Sequence, residues 1–170
     1  MNQTSFRHVV VMGVSGSGKT TVGEALSPLV GLEYRDGDDM HPQANIDKMT
    51  SGYPLNDEDR RPWLTNIAAW MAERADNGAV VACSALKHIY RDQLRKTCPD
   101  LVFVHLAGDR KIVAKRVEAR TGHFMPTSLI DSQYATLEPL AADEAGITLN
   151  FDDTREELTT MAATWLADVN

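Results

Sequence analysis

The run Gly13-Val14-Ser15-Gly16-Ser17-Gly18-Lys19-Thr20 satisfies G-x-x-x-x-G-K-[ST] in full. Its glycines let successive backbone N–H groups turn inward and form an anion nest at the start of a helix. Lys19 would reach the β- and γ-phosphates of a nucleotide as a point charge, and the Thr20 hydroxyl would ligate Mg²⁺. Thr21 continues the same nucleotide-binding run. A second concentration of chemistry lies in "DGDDMHP", residues 36–42, where Asp36, Asp38, Asp39 and His41 crowd together. Taken alone, that cluster suits a metal site, an acid/base site or a solvated turn.

The phosphate loop narrows the choice. Phosphoryl transfer needs positioning and charge neutralisation more than covalent catalysis. One carboxylate can hold the waters of Mg²⁺ while another orients or deprotonates the attacking hydroxyl. Side chains at i and i+2 of extended chain point the same way, so Asp36 and Asp38 are expected to serve one site. Asp39 is expected to face elsewhere and to cap the next helix. His41, with no second His or Cys at ligand spacing, is read as a structural or substrate-binding residue. Further along, Arg116 and Arg120 stand at i, i+4 on one helix face before a Gly/Pro-marked break. Planar guanidinium groups placed there can clamp transferring phosphates and stack on a nucleobase.

These residues need a scaffold, and the chain supplies an alternating one. The apolar runs "HVVVM" (8–12), "LEYRD" (32–36), "AVVAC" (79–83), "LVFVHL" (101–106) and "ITLNF" (147–151) predict strands. Helical spacing is expected over 19–30, through Trp63, Ile67, Trp70 and Met71, and near 88–96, 110–120, 129–137 and 154–167. Pro62 is expected in a first helical turn. Strands alternating with helices imply a parallel sheet covered on both faces, an α/β fold. The strand "AVVAC" ends in Cys83-Ser84-Ala85 rather than an acid, which argues against a mechanochemical ATPase. No N-K-x-D string signals a GTPase, so a small kinase remains.

Composition sets the outer bounds. The 170 residues carry a net charge of −7, which argues against a broad nucleic-acid or anionic-membrane surface. An anionic small molecule remains compatible, since a pocket can be basic inside an acidic protein. Cys83 and Cys98 suggest no disulfide framework, and the N-terminal apolar run is too short for a signal peptide or membrane span. A cytoplasmic location is the expectation. One domain over 1–170 is expected, with a substrate-binding helical region near 38–78 and a lid near 120–140.

The blocks "GVSGSGKTT", "DGDDMHPQANIDKMTSGYPLNDEDRRPWL", "CSALKHIYRDQLR" and "HFMPTSLIDSQYATLEPL" together resemble gluconokinases of the small, P-loop type. The first block is shared by very many nucleotide-binding proteins; the other three are far more specific. The resemblance implies a P-loop fold related to shikimate and nucleoside monophosphate kinases, with five parallel strands in order 2-3-1-4-5 and a lid. It implies ATP plus D-gluconate giving ADP plus 6-phospho-D-gluconate, with Mg²⁺, and it extends to a homodimer. By that match Asp36 supports Mg²⁺ through water and Asp38 contacts the acceptor hydroxyl, with Lys19, Asp38 and Arg120 carrying catalysis. Gluconate is a carboxylate on a polyol, so its pocket needs a cation and polar partners. His41, Lys48, Arg60, Ser84 and Lys87 are the candidates, Ser84 and Lys87 because strand carboxyl ends line the crevice of an open parallel sheet. Arg91 is expected to reach solvent. The competing readings are a kinase for another sugar acid or polyol such as shikimate, and a non-catalytic nucleotide-binding regulator.

Overall fold

The computed structural model describes residues 8–119 and 127–169. The run of β-branched residues in β1 (His8–Met12) is buried throughout and forms the central strand. It is followed by α1 (Lys19–Val30), β2 (Glu33–Asp36), a 3-10 turn over Gly37–Met40, and α2 (Gln43–Thr50). Next come α3 (Asp57–Ala72), β3 (Ala79–Ala82), α4 (His88–Thr97), β4 (Leu101–Ala107) and α5 (Arg110–Ala119). The described chain ends with α6 (Thr127–Thr136), β5 (Gly146–Asn150) and α7 (Arg155–Asp168). All pairings are parallel, in the order β2-β3-β1-β4-β5 that the family resemblance implied. No helix among the described residues is long and apolar enough to cross a membrane.

The period of the strands divides the core in two. Val9 and Val11 join a cluster containing Val22 and Leu26 of α1 and Leu158, Ala162 and Leu166 of α7. Val10 and Met12 point to the other face, among Trp63, Ile67 and Met71 of α3 and Tyr90 and Leu94 of α4. The expected apolar stripe of α3 is therefore real, and truncating the fully buried Ile67 to Ala would cost about 2–5 kcal/mol. A capping box opens α3, with the Asp59 N–H donating to Asn56 Oδ1 (2.8 Å) and the Asn56 N–H to Asp59 Oδ2 (2.9 Å). That cap starts the helix at Asp57, so Pro62 lies in the second turn rather than the first.

Two further expectations are corrected here. β2 begins at Glu33 rather than Leu32 and is a sheet edge, which is why its charged residues are tolerated. Glu33 accepts from Arg74 Nε at 2.7 Å, and the Arg35 guanidinium lies 5.8 Å from the centre of the Trp70 ring. Arg91 does not reach solvent. It is fully buried and donates through Nε and Nη2 to the two oxygens of Glu144, at 2.8 and 3.0 Å. Its Nη1 also donates to the Ala85 carbonyl at 2.8 Å, and its Nη2 to the Glu138 carbonyl at 3.0 Å. Ala85 holds a left-handed backbone conformation (φ 43°), so Arg91 braces a strained corner at the end of β3.

Burial alone would raise the Glu144 carboxyl, but hydrogen bonds from Arg91, the Ala141 N–H and Arg95 hold its pKa down at about 2. A depressed carboxylate stabilises the fold above its unfolded pKa, and that contribution is lost as pH falls through the folded value. Stability is therefore expected to drop between about pH 4.5 and pH 2, measured by denaturant unfolding across that range. Glu144→Gln leaves a buried, uncompensated Arg91; we expect it to lose about 3–5 kcal/mol at neutral pH and to flatten the acid limb. An unchanged limb in the variant would remove Glu144 as its cause.

Candidate active site

The loop between β1 and α1 folds around its own backbone. The Val14 carbonyl accepts from the Ser17 N–H at 3.2 Å and from Lys19 Nζ at 3.0 Å. Gly13 donates its N–H to the Ser84 carbonyl at 3.3 Å, which ties the loop to the end of β3. Gly13, Gly16 and Gly18 all have positive φ, as an inward-turned amide nest requires. Ser15 is engaged from the far side of the chain: its N–H donates to Gln133 Oε1 at 2.7 Å, and Gln133 Nε2 donates to its hydroxyl at 3.0 Å.

Asp36 ties this loop to the second strand. Its Oδ2 accepts from the Thr20 hydroxyl at 3.0 Å, and its Oδ1 accepts from the Asp38 N–H at 2.9 Å. Asp36 and Asp38 do come into contact, but through the Asp38 N–H rather than by side chains sharing one face of a strand. Asp38 lies in the 3-10 turn that Asp36 caps, because the chain leaves the sheet directly after Asp36. Asp39 does not cap the next helix, whose N-cap is Pro42, and it faces a separate groove beside Arg35 and Trp70. Protein packed around the Asp38 carboxyl pushes its pKa up from the ordinary range even though the residue is accessible. Lys19 pulls it down, while Asp36 and Asp39 add to the rise.

The adjacent Thr20 hydroxyl and Asp36 carboxylate are hard oxygen donors at the mouth of the phosphate loop. They fit a Mg²⁺ that the Thr20 hydroxyl would ligate and the Asp36 carboxylate would support through a coordinated water. Among the described residues no group of three or more His, Cys, Asp or Glu could hold a metal ion by itself.

Lys19 and Asp38 open onto a cavity of about 310 Å³ that also receives His41, Arg60, Ser84 and Gln133. Leu55, Trp63, Leu86 and Leu129 supply apolar wall. The His41 ring stacks on Trp63, with centroids 4.2 Å apart and planes 11° from parallel. Burial, with Arg60 adding to it, pushes the His41 pKa down to about 4, so the ring is neutral near pH 7. Asn45 Nδ2 lies 3.2 Å from His41 Nδ1 and donates to it, which leaves the ring proton on Nε2. Of the other cations expected here, Lys48 pairs with Asp59 (2.7 Å) and Lys87 with Asp57 (2.8 Å), and neither lines the cavity.

A second hollow, of about 390 Å³, flanks the other side of the loop. Gly16, Gly18, Thr21, Arg116, Asp153 and Arg155 are among the residues around it. Arg116 donates to the Gly16 carbonyl at 3.3 Å and to the Phe151 carbonyl at 2.8 Å, and its guanidinium lies 5.0 Å from the Phe151 ring centre. It is thus fastened to a backbone carbonyl of the loop. Arg120 lies outside the described residues. Sequence reasoning missed Gln133, Trp63 as a cavity wall, and the pairing of both lysines. A lone glutamine carries no motif, and partners distant in sequence leave no spacing to read.

The AAA domain family matches residues 9–153. The gluconokinase of Gluconobacter oxydans (strain 621H) is 49% identical over 140 residues, covering 81% of this chain and 79% of that protein. The crystal structure of a gluconokinase from Sinorhizobium meliloti 1021 superposes with TM-score 0.90 at 42% identity, covering 99% of this chain and 95% of that one. An unliganded sugar kinase from Janibacter sp. HTCC2649 gives TM-score 0.91 at 49% identity over 95% of each chain.

The loop makes a simple steric prediction. A Cβ on Gly13 would stand 2.7 Å from the Leu106 carbonyl oxygen, whereas one on Gly18 meets nothing within 4 Å. Gly18→Ala should cost only the left-handed strain, about 1–2 kcal/mol, and Gly13→Ala distinctly more, in denaturant unfolding without nucleotide. Equal losses would mean that the close approach at Gly13 does not constrain the loop.

Proposed function

The chain belongs to the gluconokinase family, and from that premise we propose that it phosphorylates D-gluconate with ATP, giving 6-phospho-D-gluconate and ADP. One observation carries this reading: Lys19 of the phosphate loop, the carboxylate of Asp38 and the guanidinium of Arg60 share a single cavity. A phosphate end, a base and a carboxylate anchor are what the reaction requires.

In this reading the nest from Gly13 to Thr20 and the Lys19 ammonium bind the β- and γ-phosphates. The Thr20 hydroxyl and the Asp36 carboxylate, the latter through water, would hold Mg²⁺, which when bound would neutralise charge on the phosphate oxygens. Asp38 accepts the proton of the attacking gluconate hydroxyl as its oxygen forms a bond to the γ-phosphorus. The bond from that phosphorus to the bridging oxygen breaks, and ADP leaves. The raised Asp38 pKa suits a base, since a carboxylate less stable in its charged form takes a proton more readily. Arg60 pairs with the gluconate carboxylate, while the neutral His41 and the Ser84 hydroxyl bind the polyol. Lys48 and Lys87 support this pocket from behind. Arg116 and Thr21 would border the nucleoside, and Arg120 would join them in binding the nucleotide, as the family resemblance implies.

We expect Asp38→Asn to cut kcat by roughly two to four orders of magnitude, the usual worth of a general base. The KM for ATP should stay nearly constant. In the unsubstituted enzyme kcat/KM should fall with decreasing pH through a pKa above the ordinary carboxylate range. Near-normal turnover in the variant would exclude Asp38 as the base. The acceptor is tested by coupled ADP release with ATP and Mg²⁺ over gluconate, shikimate, other aldonates and nucleoside monophosphates. Acceleration by gluconate is the expected result, and equal slow turnover with every acceptor would overturn the reading.

A further inference from the structure

The residues behind Arg60 form a directed chain that the reaction does not use directly. Asp57 and Arg60 lie one turn apart at the start of α3, and Lys87 and Tyr90 one turn apart at the start of α4. These two helix openings face each other. Arg60 Nη1 donates to the Tyr90 hydroxyl at 2.9 Å, and its guanidinium lies 5.3 Å from the centre of the Tyr90 ring. The same hydroxyl donates its proton to Asp57 Oδ1. Lys87 Nζ donates to that carboxylate oxygen at 2.8 Å and lies 5.7 Å from the same ring.

We propose that Tyr90, held by Asp57 and Lys87, is a positioning residue that aims Arg60 at the carboxylate of the acceptor. The proposal rests on the reading of Arg60 as the carboxylate anchor. An unrestrained arginine spreads over many rotamers, and fixing it on binding would weaken affinity. Here the guanidinium lies against the ring and the hydroxyl takes one of its five donors, which leaves the remaining donors for the cavity that Arg60 lines. The buried phenol also separates Arg60 from Asp57. It accepts from the one and donates to the other, so the carboxylate polarises the phenol oxygen without capturing the arginine. Lys87 neutralises Asp57 from the opposite side, and Lys48 does the same for Asp59. Both nearby carboxylates are thus taken by lysines, and among the described residues none forms an ion pair with Arg60. Burial, then the bond to Asp57, pushes the Tyr90 hydroxyl above its ordinary pKa, so it stays protonated as a donor near neutral pH.

The test is a double-substitution cycle on steady-state kinetics. Arg60→Gln should raise the KM for gluconate by about ten- to a hundredfold, the worth of hydrogen bonds to a charged group. Tyr90→Phe should raise it by about tenfold while kcat and the KM for ATP move by less than about twofold. In the Arg60→Gln background, Tyr90→Phe should have no further effect. An unchanged gluconate KM in Arg60→Gln would overturn the anchor reading itself. A raised KM in Arg60→Gln but not in Tyr90→Phe would overturn the positioning role and leave the anchor standing. Full additivity of the two substitutions would also overturn it. If Tyr90→Phe melts well below the parent enzyme, Lys87→Gln carries the test at a partly exposed position. It frees Asp57 to draw Arg60 away, with the same rise expected and an unchanged gluconate KM as the overturning result.

Discussion

The register of three parallel strands is the constraint on which the site depends. Val11 of β1 pairs with Ala82 of β3, and Ala82 pairs with Asp36 of β2, so the three strands end on one line. Each chain then leaves the sheet at the same edge: the phosphate loop from β1, the acidic turn from β2, and Ser84 from β3. The Thr20–Asp36 hydrogen bond spans two strand positions because β3 lies between β1 and β2. A slip of β2 by one residue would turn Asp36 toward the opposite face and separate it from Thr20. The chemistry of the phosphate loop is thus set partly by a strand that never touches a phosphate.

The treatment of charge follows the same logic at longer range. A protein with net charge −7 presents a cavity in which, among the described residues, the cations are Lys19 and Arg60. This arises less from gathering basic residues than from removing their competitors. Asp57 and Asp59 stand in the first turn of α3, where the helix dipole favours them, and each is matched to a lysine from another helix. The buried Arg91–Glu144 pair acts one layer further out, holding the Ala85 corner from which Ser84 and Leu86 enter the cavity. Breaking such a pair is costly even though apolar side chains of similar volume can match its net stability, and here it also fixes the geometry of the corner.

Much of this was legible in the sequence, for identifiable reasons. The phosphate loop is a local motif in which spacing and chemistry coincide, and the strands and helices follow from periodicity. The family resemblance supplied the sheet order and the reaction. What periodicity could not supply was the turn after β2: four residues of 3-10 helix have no repeat to detect, so Asp36 and Asp38 were brought together by the wrong geometry. Nor could it decide which basic residues face substrate. Lys48, Lys87 and Arg91 differ from Arg60 only through carboxylates met in three dimensions, and two of those partners lie on α3, 11 residues from Lys48 and 30 from Lys87. Arg91 read as solvated because Glu144 sits in a connection with no pattern of its own.

The two hollows meet at the phosphate loop, and different residues of the loop line each. Ser15 and Lys19 face the acceptor cavity, while Gly16, Gly18 and Thr21 border the other hollow. Each is braced by a different helix: Arg116 of α5 donates to the Gly16 carbonyl, and Gln133 of α6 forms two bonds with Ser15. These two helices thus fasten adjacent residues of one loop. Phosphate oxygens competing for the Ser15 N–H would loosen the Gln133 contact while leaving the Arg116 contact in place. Occupancy of the nest would then be felt first at α6, whose Leu129 and Gln133 line the cavity shared with Lys19 and Asp38.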